Sequence, residues 1–391
     1  MRVLHLIPSI SPHRGGPSKA VLEMVSALRQ QGVDASIVTT NDDGPGVLAS
    51  LPLRRWHQHQ GVPVLAFPRW SPPLRPLLEF AVAPALLRWL VDHIQDYQLV
   101  HVHALFSFPS TAAMAVARRR RVPYILRSIG QLQHWSLRQS AFRKRLLLRL
   151  IERRNLEGAA ALHFTTAMEK QEAETLNLGV PSFVLPLGVS VPPLADQAEV
   201  ALGSSPVQFL FLSRLHPKKQ LPLLLEALAA LQLRRPDCHW QLHIAGDGHP
   251  AYVDSLRQLA WKLGISSRLL WHGFVAGADK ADLLSRADWF VLPSAAENFG
   301  IAAAEALAAG VPVVLTPGVA LAEQVSQARA GVIAEASVPG LLEALESHCL
   351  ESPSRFLRDR ARTLASNRYS WNIIANELAE HYQSIVESSP S

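Results

Sequence analysis

What most constrains this chain is a rhythm in which short apolar runs alternate with amphipathic stretches, interrupted once and then resumed. The runs "RVLHLI", "DASIVTT", "LVHVHAL", "PYILRSI", "ALHFTT" and "SFVLPLG" fill the first half, with helical patterns at 18–31, 110–120, 138–158 and 167–177 between them. Strands alternating with helices at this spacing pair in parallel and are covered by helices, which predicts an α/β class. Residues 186–206, rich in Pro, Gly and Ser, break the pattern. It restarts with "VQFLFLS", "WQLHIAG", "LLWHGF", "WFVLPS", "PVVLTP" and "GVIAE". With 391 residues, too many for one ordinary core, the chain reads as two doubly wound domains. Their expected bounds are 1–190 and 207–368, with a linker at 191–206 and a terminal helix at 369–391.

In open α/β sheets, ligands bind beyond the carboxyl ends of the strands, so function is expected in loops that directly follow them. Three such loops stand out. In "IPSISPHRGGPSKAV" (7–21), Gly15 and Gly16 precede Pro17 at a plausible first helical position. Paired glycines let a bulky ligand approach the backbone, and a helix N-terminus attracts phosphate. A plain strand-to-helix turn would look the same. The loop lacks the GxGxxG of a dinucleotide binder, and no acid after the second strand is expected to support one.

In "FLFLSRLHPKKQLPLLLEAL" (209–228), Arg214 follows a strand, and Lys218 and Lys219 stand just before a helix that starts near Leu221. Cations there oppose the helix dipole, and a bound anion would reverse that penalty. A charge-assisted hydrogen bond contributes roughly 1.5–3 kcal/mol, so two or three suffice to hold a diphosphate. The competing reading is a solvated basic turn.

The third loop lies in "LPSAAENFGIAAAEALAAGVPVV" (292–314). Glu297 precedes Asn298, Phe299 and Gly300, whose backbone N–H groups are free to meet an anion or a sugar hydroxyl, and Glu305 falls more than a turn into an Ala-rich helix. A carboxylate buried among alanine and leucine is costly without a partner, and a ribose diol would satisfy it. Either acid alone would read as a solvated helix residue. Beside the basic loop, that reading weakens.

Composition narrows the class. The two cysteines, Cys238 and Cys349, form no CxxC pair, which argues against a disulfide framework and fits a reducing cytoplasm. The opening "MRVLHLIPSISP" lacks a long apolar signal segment, and "ALFSFPSTAAMAVA" (104–117) is too short for a membrane span and contains Pro109, so a soluble protein is expected. The formal charge of +6 is concentrated in "ARRRRVP" (117–123) and "RQSAFRKRLLLRLIERRN" (138–155). On a helical wheel Arg138, Arg145, Arg149 and Arg153 form one stripe, and Leu146, Leu147, Leu148, Leu150 and Ile151 form an arc expected to pack on the domain. Such a stripe suits an anionic membrane surface or a lipid-linked diphosphate, and equally a solvated helix face. Nucleic acid is disfavoured as a partner, because the basic stretches lack interleaved aromatics and any nucleic-acid motif.

The segments "SRLHPKKQ", "GDG" (246–248), "WHGF" (271–274), "ADWFVLPSAAENFGIAAAEALAAGVPVV" and "YSWNIIANELAEHYQSI" are similar to the retaining glycosyltransferases of family 4. The resemblance spans essentially the whole chain and is strongest from Phe209 to Thr316. It implies the GT-B fold, two Rossmann-like domains facing across a cleft, with an N-terminal acceptor domain, a C-terminal nucleotide-sugar donor domain and a terminal helix that crosses back to the first domain. In the spacing of Glu297 and Glu305 it implies that the first acid reads the donor sugar and the second holds the nucleotide ribose. It further implies that Arg214 and Lys219 neutralise the donor diphosphate, that Gly15 and Gly16 face the same phosphates, and that His272, Gly273 and Phe274 lie beside the base. "VHVHALFS" and "RSIGQLQHWSLRQSAFRKRLLLRLIERRNLEGAAALHFTTAMEKQEA" resemble enzymes of bacterial cell-surface polysaccharide synthesis.

In that family a histidine at the place of His103 often faces the cleft. His101 and His103 share a strand face, His134 is expected nearby, and His103, nearer the strand end, is the favoured catalytic candidate with Glu297, Arg214 and Lys219. The chain departs from the family at Ser213 and Gln220, where glycines are usual, at Ile129 and at Ser190.

The implied reaction is a retaining transfer from a nucleoside-diphosphate sugar to a glycan or lipid-linked acceptor. Front-face attack lets the leaving phosphate take the acceptor proton, with no metal and no cofactor. A sugar-nucleotide epimerase with the same fold and a non-catalytic nucleotide-sugar binder are the alternatives. The expected location is the cytoplasm, with peripheral association at the inner face of the plasma membrane through the basic stripe.

Overall fold

The computed structural model describes residues 1–44, 46–72, 79–138, 146–192 and 206–388. It divides into two compact units, Met1–Gly188 with Trp371–Ser391, and Val189–Ser370. Most of the linker expected at 191–206 lies outside the described residues.

The strands of the first unit are β1 (Arg2–Ser9), β2 (Asp34–Thr40), β3 (Asp42–Asp43), β4 (Gly46–Val47), β5 (Trp56–His59), β6 (Val62–Phe67), β7 (Leu99–His103), β8 (Tyr124–Arg127), β9 (Ala161–Phe164) and β10 (Ser182–Val184). Eight of them make one sheet in the order β10-β9-β8-β7-β1-β2-β6-β5. All its pairings are parallel except β5 with β6. The sequence reading missed that hairpin, because "WHQH" is polar and its strand stays half-exposed at the sheet edge. Its two-residue turn, Gln60-Gly61, has φ of 52° and 77°, the doubly left-handed conformation that suits strand twist.

The two faces of this sheet differ sharply. One presents Leu4, Leu6, Val100, Val102, Tyr124, Leu126, Leu162 and Phe164 to an aliphatic core completed by helices such as Phe108–Arg120. By strand alternation the other presents His5, His101, His103, Arg127 and His163. These five side chains are fully buried, a costly layer unless its polar atoms are paired.

The helix Trp371–Ser388 covers the polar face and supplies Tyr382, whose hydroxyl lies 2.6 Å from His101 Nδ1. At its start Trp371 Nε1 donates to Glu23 at 2.9 Å. A Cβ on Gly188 would fall 2.2 Å from the Trp371 ring, so only glycine lets this helix seat.

The second unit carries β11 (Val207–Leu212), β12 (Trp240–Ala245), β13 (Leu269–Gly273), β14 (Trp289–Leu292), β15 (Val313–Leu315) and β16 (Gly331–Ile333). They form one parallel sheet in the order β13-β12-β11-β14-β15-β16. The order reverses direction at β11 and β14. The loops after those two strands are the ones singled out above, and this is the switch point where such sheets bind ligands.

Candidate functional site

In the second unit the basic loop and the acidic loop meet. The backbone N–H of Ala295 donates to the carbonyl of Lys218 at 2.9 Å, and Lys219 Nζ forms an ion pair with Glu297 Oε2. Glu297 is held on its other side by the 318–320 loop: its N–H donates to Gly318 O at 2.8 Å, and its carbonyl accepts from Ala320 at 3.2 Å. Arg214, at the end of β11, is exposed and makes no hydrogen bond or ion pair among the described residues.

Two helices begin here without a side-chain cap. Leu221–Arg234 starts after Gln220 and Ile301–Ala308 after Gly300, leaving their first N–H groups open to a ligand. Gln220, at a family glycine position, sits at φ 51°, and Gly300 at φ 87°. Phe299 is buried edge-on against Tyr369, with ring centroids 5.5 Å apart, and so serves to seat the turn.

Gly246 and Gly248 of the "GDG" segment, and Gly318 beyond it, each allow a close approach of backbones. A Cβ on Gly246 would lie 1.9 Å from Ser213 O, one on Gly248 2.3 Å from Leu215 O, and one on Gly318 2.3 Å from Ala295 O. Their absence of a side chain packs the "GDG" loop against Ser213–Leu215 and the 318 loop against the acidic one. Leu215 N donates to Asp247 O at 2.7 Å across the first of these contacts.

Glu305 is not left waiting for a diol. Lys280, on the helix Gly277–Arg286, reaches Glu305 Oε1 at 2.7 Å, and both side chains are largely shielded, at 17% and 13% exposure. Sequence reasoning missed Lys280 because nothing in its own helix points to a distant acid. His272 lies on β13, stacked on His243 with centroids 5.1 Å apart and Nε2 3.0 Å from His243 Nδ1. Gly273 follows at φ 66°, and Phe274 is 51% exposed. The three thus form an accessible rim of the same unit.

In the first unit, Gly15 at φ 83° ends the turn Pro12–Arg14 and precedes the helix Gly16–Gln30, which also lacks a side-chain cap. The loop is braced from β3. Asp42, buried in β3 just past the second strand, pairs with Arg69 and with Arg14 at 2.6 Å, and Asp43 accepts from Ser11 and lies 2.8 Å from His13 Nδ1. Acids thus follow the second strand, but both are engaged within the protein. They turn back onto the loop that carries the glycines and are already neutralised there.

His103 ends β7 and is buried without exposed surface, with Nε2 3.0 Å from His5 Nδ1. His101 stands 4.2 Å from it, ring to ring, on the shared face. His134 is a correction: it is mostly exposed, and its ring lies by Glu172 and Thr175, while His5 and His163 take the place expected of it. Burial, with Arg127 beside them, pushes His5 and His163 down to about 3, and His101 and His103 well below their ordinary value, so the layer is neutral imidazole. One ring nitrogen each of His5, His101 and His103 lie within 4.8 Å of one another, a spacing a divalent cation could use. Arg127 already places a buried positive charge next to them, so a second cation would be poorly tolerated.

Ile129 has φ 53°, a strained position for a β-branched residue. Glu169 holds its turn, accepting from Ser128 Oγ at 2.6 Å and Gly130 N at 2.5 Å.

The apolar arc beside the basic stripe is also corrected. Leu146 and Ile151 are 48% and 43% exposed, Arg149 and Arg153 are exposed alongside, and Leu148 alone is seen packed on the core. Arg145 lies outside what is described, as do the side chains of Arg138 and Leu150.

Comparison with known proteins completes the picture. Residues 15–188 match the family "Glycosyl transferase 4-like domain" and residues 195–363 match "Glycosyl transferases group 1". The GDP-mannose:cellobiosyl-diphosphopolyprenol alpha-mannosyltransferase of Komagataeibacter xylinus is 27% identical over 99% of this chain and 94% of its own length. A D-inositol 3-phosphate glycosyltransferase of Arthrobacter sp. (strain FB24) is 27% identical over 98% and 94%. Among solved structures, a sucrose-phosphate synthase from Thermosynechococcus elongatus superposes with a TM-score of 0.76 at 20% identity, covering 100% of both chains. Anabaena HepE, in complex with UDP and glucose, superposes at 0.68 with 21% identity over 98% and 100%. With each half of the sequence matched and each unit folded around a parallel sheet, the chain belongs to the GT-B glycosyltransferases of the family 4 kind.

Proposed function

We propose that this glycosyltransferase moves a sugar, with retention and without a metal ion, from a nucleoside-diphosphate sugar to a glycan or lipid-linked acceptor in cell-surface glycoconjugate synthesis. The observation that carries the reading is the Lys219–Glu297 ion pair between two uncapped helix starts. A diphosphate would take Lys219 and the unpaired Arg214, and the released Glu297 would turn to the sugar hydroxyls. As the anomeric C–O bond breaks, those cations and helix N–H groups would meet the charge growing on the leaving phosphate, which could then accept the acceptor's proton. A relative named for GDP-mannose and a diphosphopolyprenol acceptor supports both substrate classes.

The reading places His103 at the transfer site, as the family resemblance implies. It also places an anionic membrane surface against Leu146, Arg149, Ile151 and Arg153, which are exposed together. No helix among the described residues is long and apolar enough to cross a membrane.

The test is a thermal-shift panel of uridine, guanosine and adenosine diphosphate sugars, followed by product analysis with and without EDTA. A ligand at a hundred times its Kd adds roughly 2.7 kcal/mol, readily seen. The expected product keeps the donor's anomeric configuration and needs an acceptor. An epimer formed from donor alone, an inverted linkage or loss of turnover in EDTA would each defeat the proposal.

A further inference from the structure

The histidine layer of the first unit is a directed chain of hydrogen bonds. Its direction is set at one end by a group that can only accept. His163 Nε2 lies 2.8 Å from the carbonyl oxygen of Leu185, so that nitrogen carries the proton. In a neutral ring, Nδ1 is then a lone pair, and it meets His101 Nε2 at 3.4 Å, which must donate. His101 Nδ1 becomes an acceptor and takes the hydroxyl proton of Tyr382 at 2.6 Å. That phenol has one proton, so its oxygen accepts from His5 Nε2 at 3.4 Å. His5 Nδ1 is left as an acceptor, and His103 Nε2 donates to it at 3.0 Å. Every tautomer is thereby fixed. The chain ends on His103 Nδ1, a buried lone pair with no hydrogen-bond partner among the described residues.

We infer that this relay holds His103 as an obligate hydrogen-bond acceptor at Nδ1, and that Tyr382, His5, His101 and His163 are positioning residues for it. The neutral state of these rings is favoured by burial and by Arg127. Arg127 supplies the complement. It pairs in register with His103 across β7 and β8, and none of its guanidinium nitrogens has a partner among the described residues. An acceptor nitrogen beside an unsatisfied donor fits a hydroxyl group, which can donate to one and accept from the other. A carbonyl or a carboxylate cannot donate to Nδ1. This substrate assignment, a sugar hydroxyl, rests on the reading that His103 works at the transfer site, whereas the relay itself does not.

The experiment is NMR of the full chain labelled with ¹⁵N-histidine, which reports the protonated nitrogen of each ring. Wild type should show His103 and His163 protonated at Nε2 and His103 bare at Nδ1. In Tyr382→Phe the link between His101 and His5 is cut, so His103 should become a mixture of tautomers. Its kcat should fall roughly ten-fold, the scale of one lost neutral hydrogen bond, with the donor KM little changed. His163→Gln keeps a donor for Leu185 O and an acceptor for His101 and should retain the wild-type pattern, whereas His163→Leu should lose it. Protonation of His103 at Nδ1 in wild type, or tautomers indifferent to Tyr382→Phe and His163→Leu, overturns the relay. If the tautomers are as expected but His103→Leu, which has no acceptor at that place, turns over like wild type, the relay stands and the hydroxyl assignment falls.

Discussion

Lowering the pH from 7.5 to 5.5 should loosen the first unit far more than the second. His5 and His163 titrate at about 3 in the fold, against an ordinary value of 6.5, and His101 and His103 move in the same direction. Above pH 6.5 neither the folded nor the unfolded chain protonates these rings, so their burial costs nothing extra. Below it the unfolded chain takes up protons that the fold refuses, and stability declines by about 1.4 kcal/mol per pH unit for each ring until the folded value is reached. Over the interval chosen, His5 and His163 together account for about 3 kcal/mol, a large part of a typical 5–15 kcal/mol total, and His101 and His103 add in the same direction. The surrounding groups are Arg127, which stays charged, Glu169, whose carboxylate is saturated by donors, and His381, stacked on Phe183 at the edge of the layer. Hydrogen exchange of the β7 and β8 amides, corrected for intrinsic rates, reads the opening free energy of this unit. Exchange in β11 and β14 is the internal control. Equal opening energies in β7 at the two pH values would refute the reasoning, and His163→Gln should reduce the pH slope by about one ring's share.

Other outcomes follow from the second unit and the basic face. Gly246→Ala would drive a Cβ into Ser213 O and should destabilise the unit by on the order of 2–3 kcal/mol while lowering donor affinity, read by thermal unfolding with and without nucleotide sugar. Lys280→Met should cost about 1–3 kcal/mol by removing the cation paired with the shielded Glu305, read by thermal unfolding. Reversing Arg149 and Arg153 to glutamate should reduce co-sedimentation with anionic vesicles, since each basic residue near such a surface contributes about 1 kcal/mol. Unchanged binding, or equal binding to neutral vesicles, would remove the membrane from the account.

The doubly wound character of both units was legible because a buried parallel strand is an uninterrupted apolar run, and "VQFLFLS" or "WFVLPS" admits little else. The donor loops were legible for a different reason. Lys219 before a helix and Glu297 after a strand are each awkward for folding alone, and the structure shows them relieving one another. What stayed hidden depends on contacts distant in sequence. Lys280 meets Glu305 across 25 positions, and Asp42 gathers Arg14 and Arg69 from either side. Tyr382 reaches His101 across 281 positions. The histidines themselves were visible, but the alternation that gathers four of them on one face becomes telling only once β1, β7 and β9 are known to share a sheet. Ile129 gave no sign of its left-handed backbone, since nothing in "RSIG" but the following glycine hints at a tight turn.

The final helix has a consequence for how the polypeptide is made. The first unit is discontinuous: its sheet is complete by residue 184, yet the side chain that closes the histidine circuit is Tyr382, translated after the whole intervening unit. A nascent chain halted before Trp371 would leave five uncovered polar side chains on a sheet face and no phenol to link His5 with His101. Maturation of this unit therefore waits on residues translated after the whole second unit, and truncation before Tyr382 should be as damaging as truncation inside the sheet.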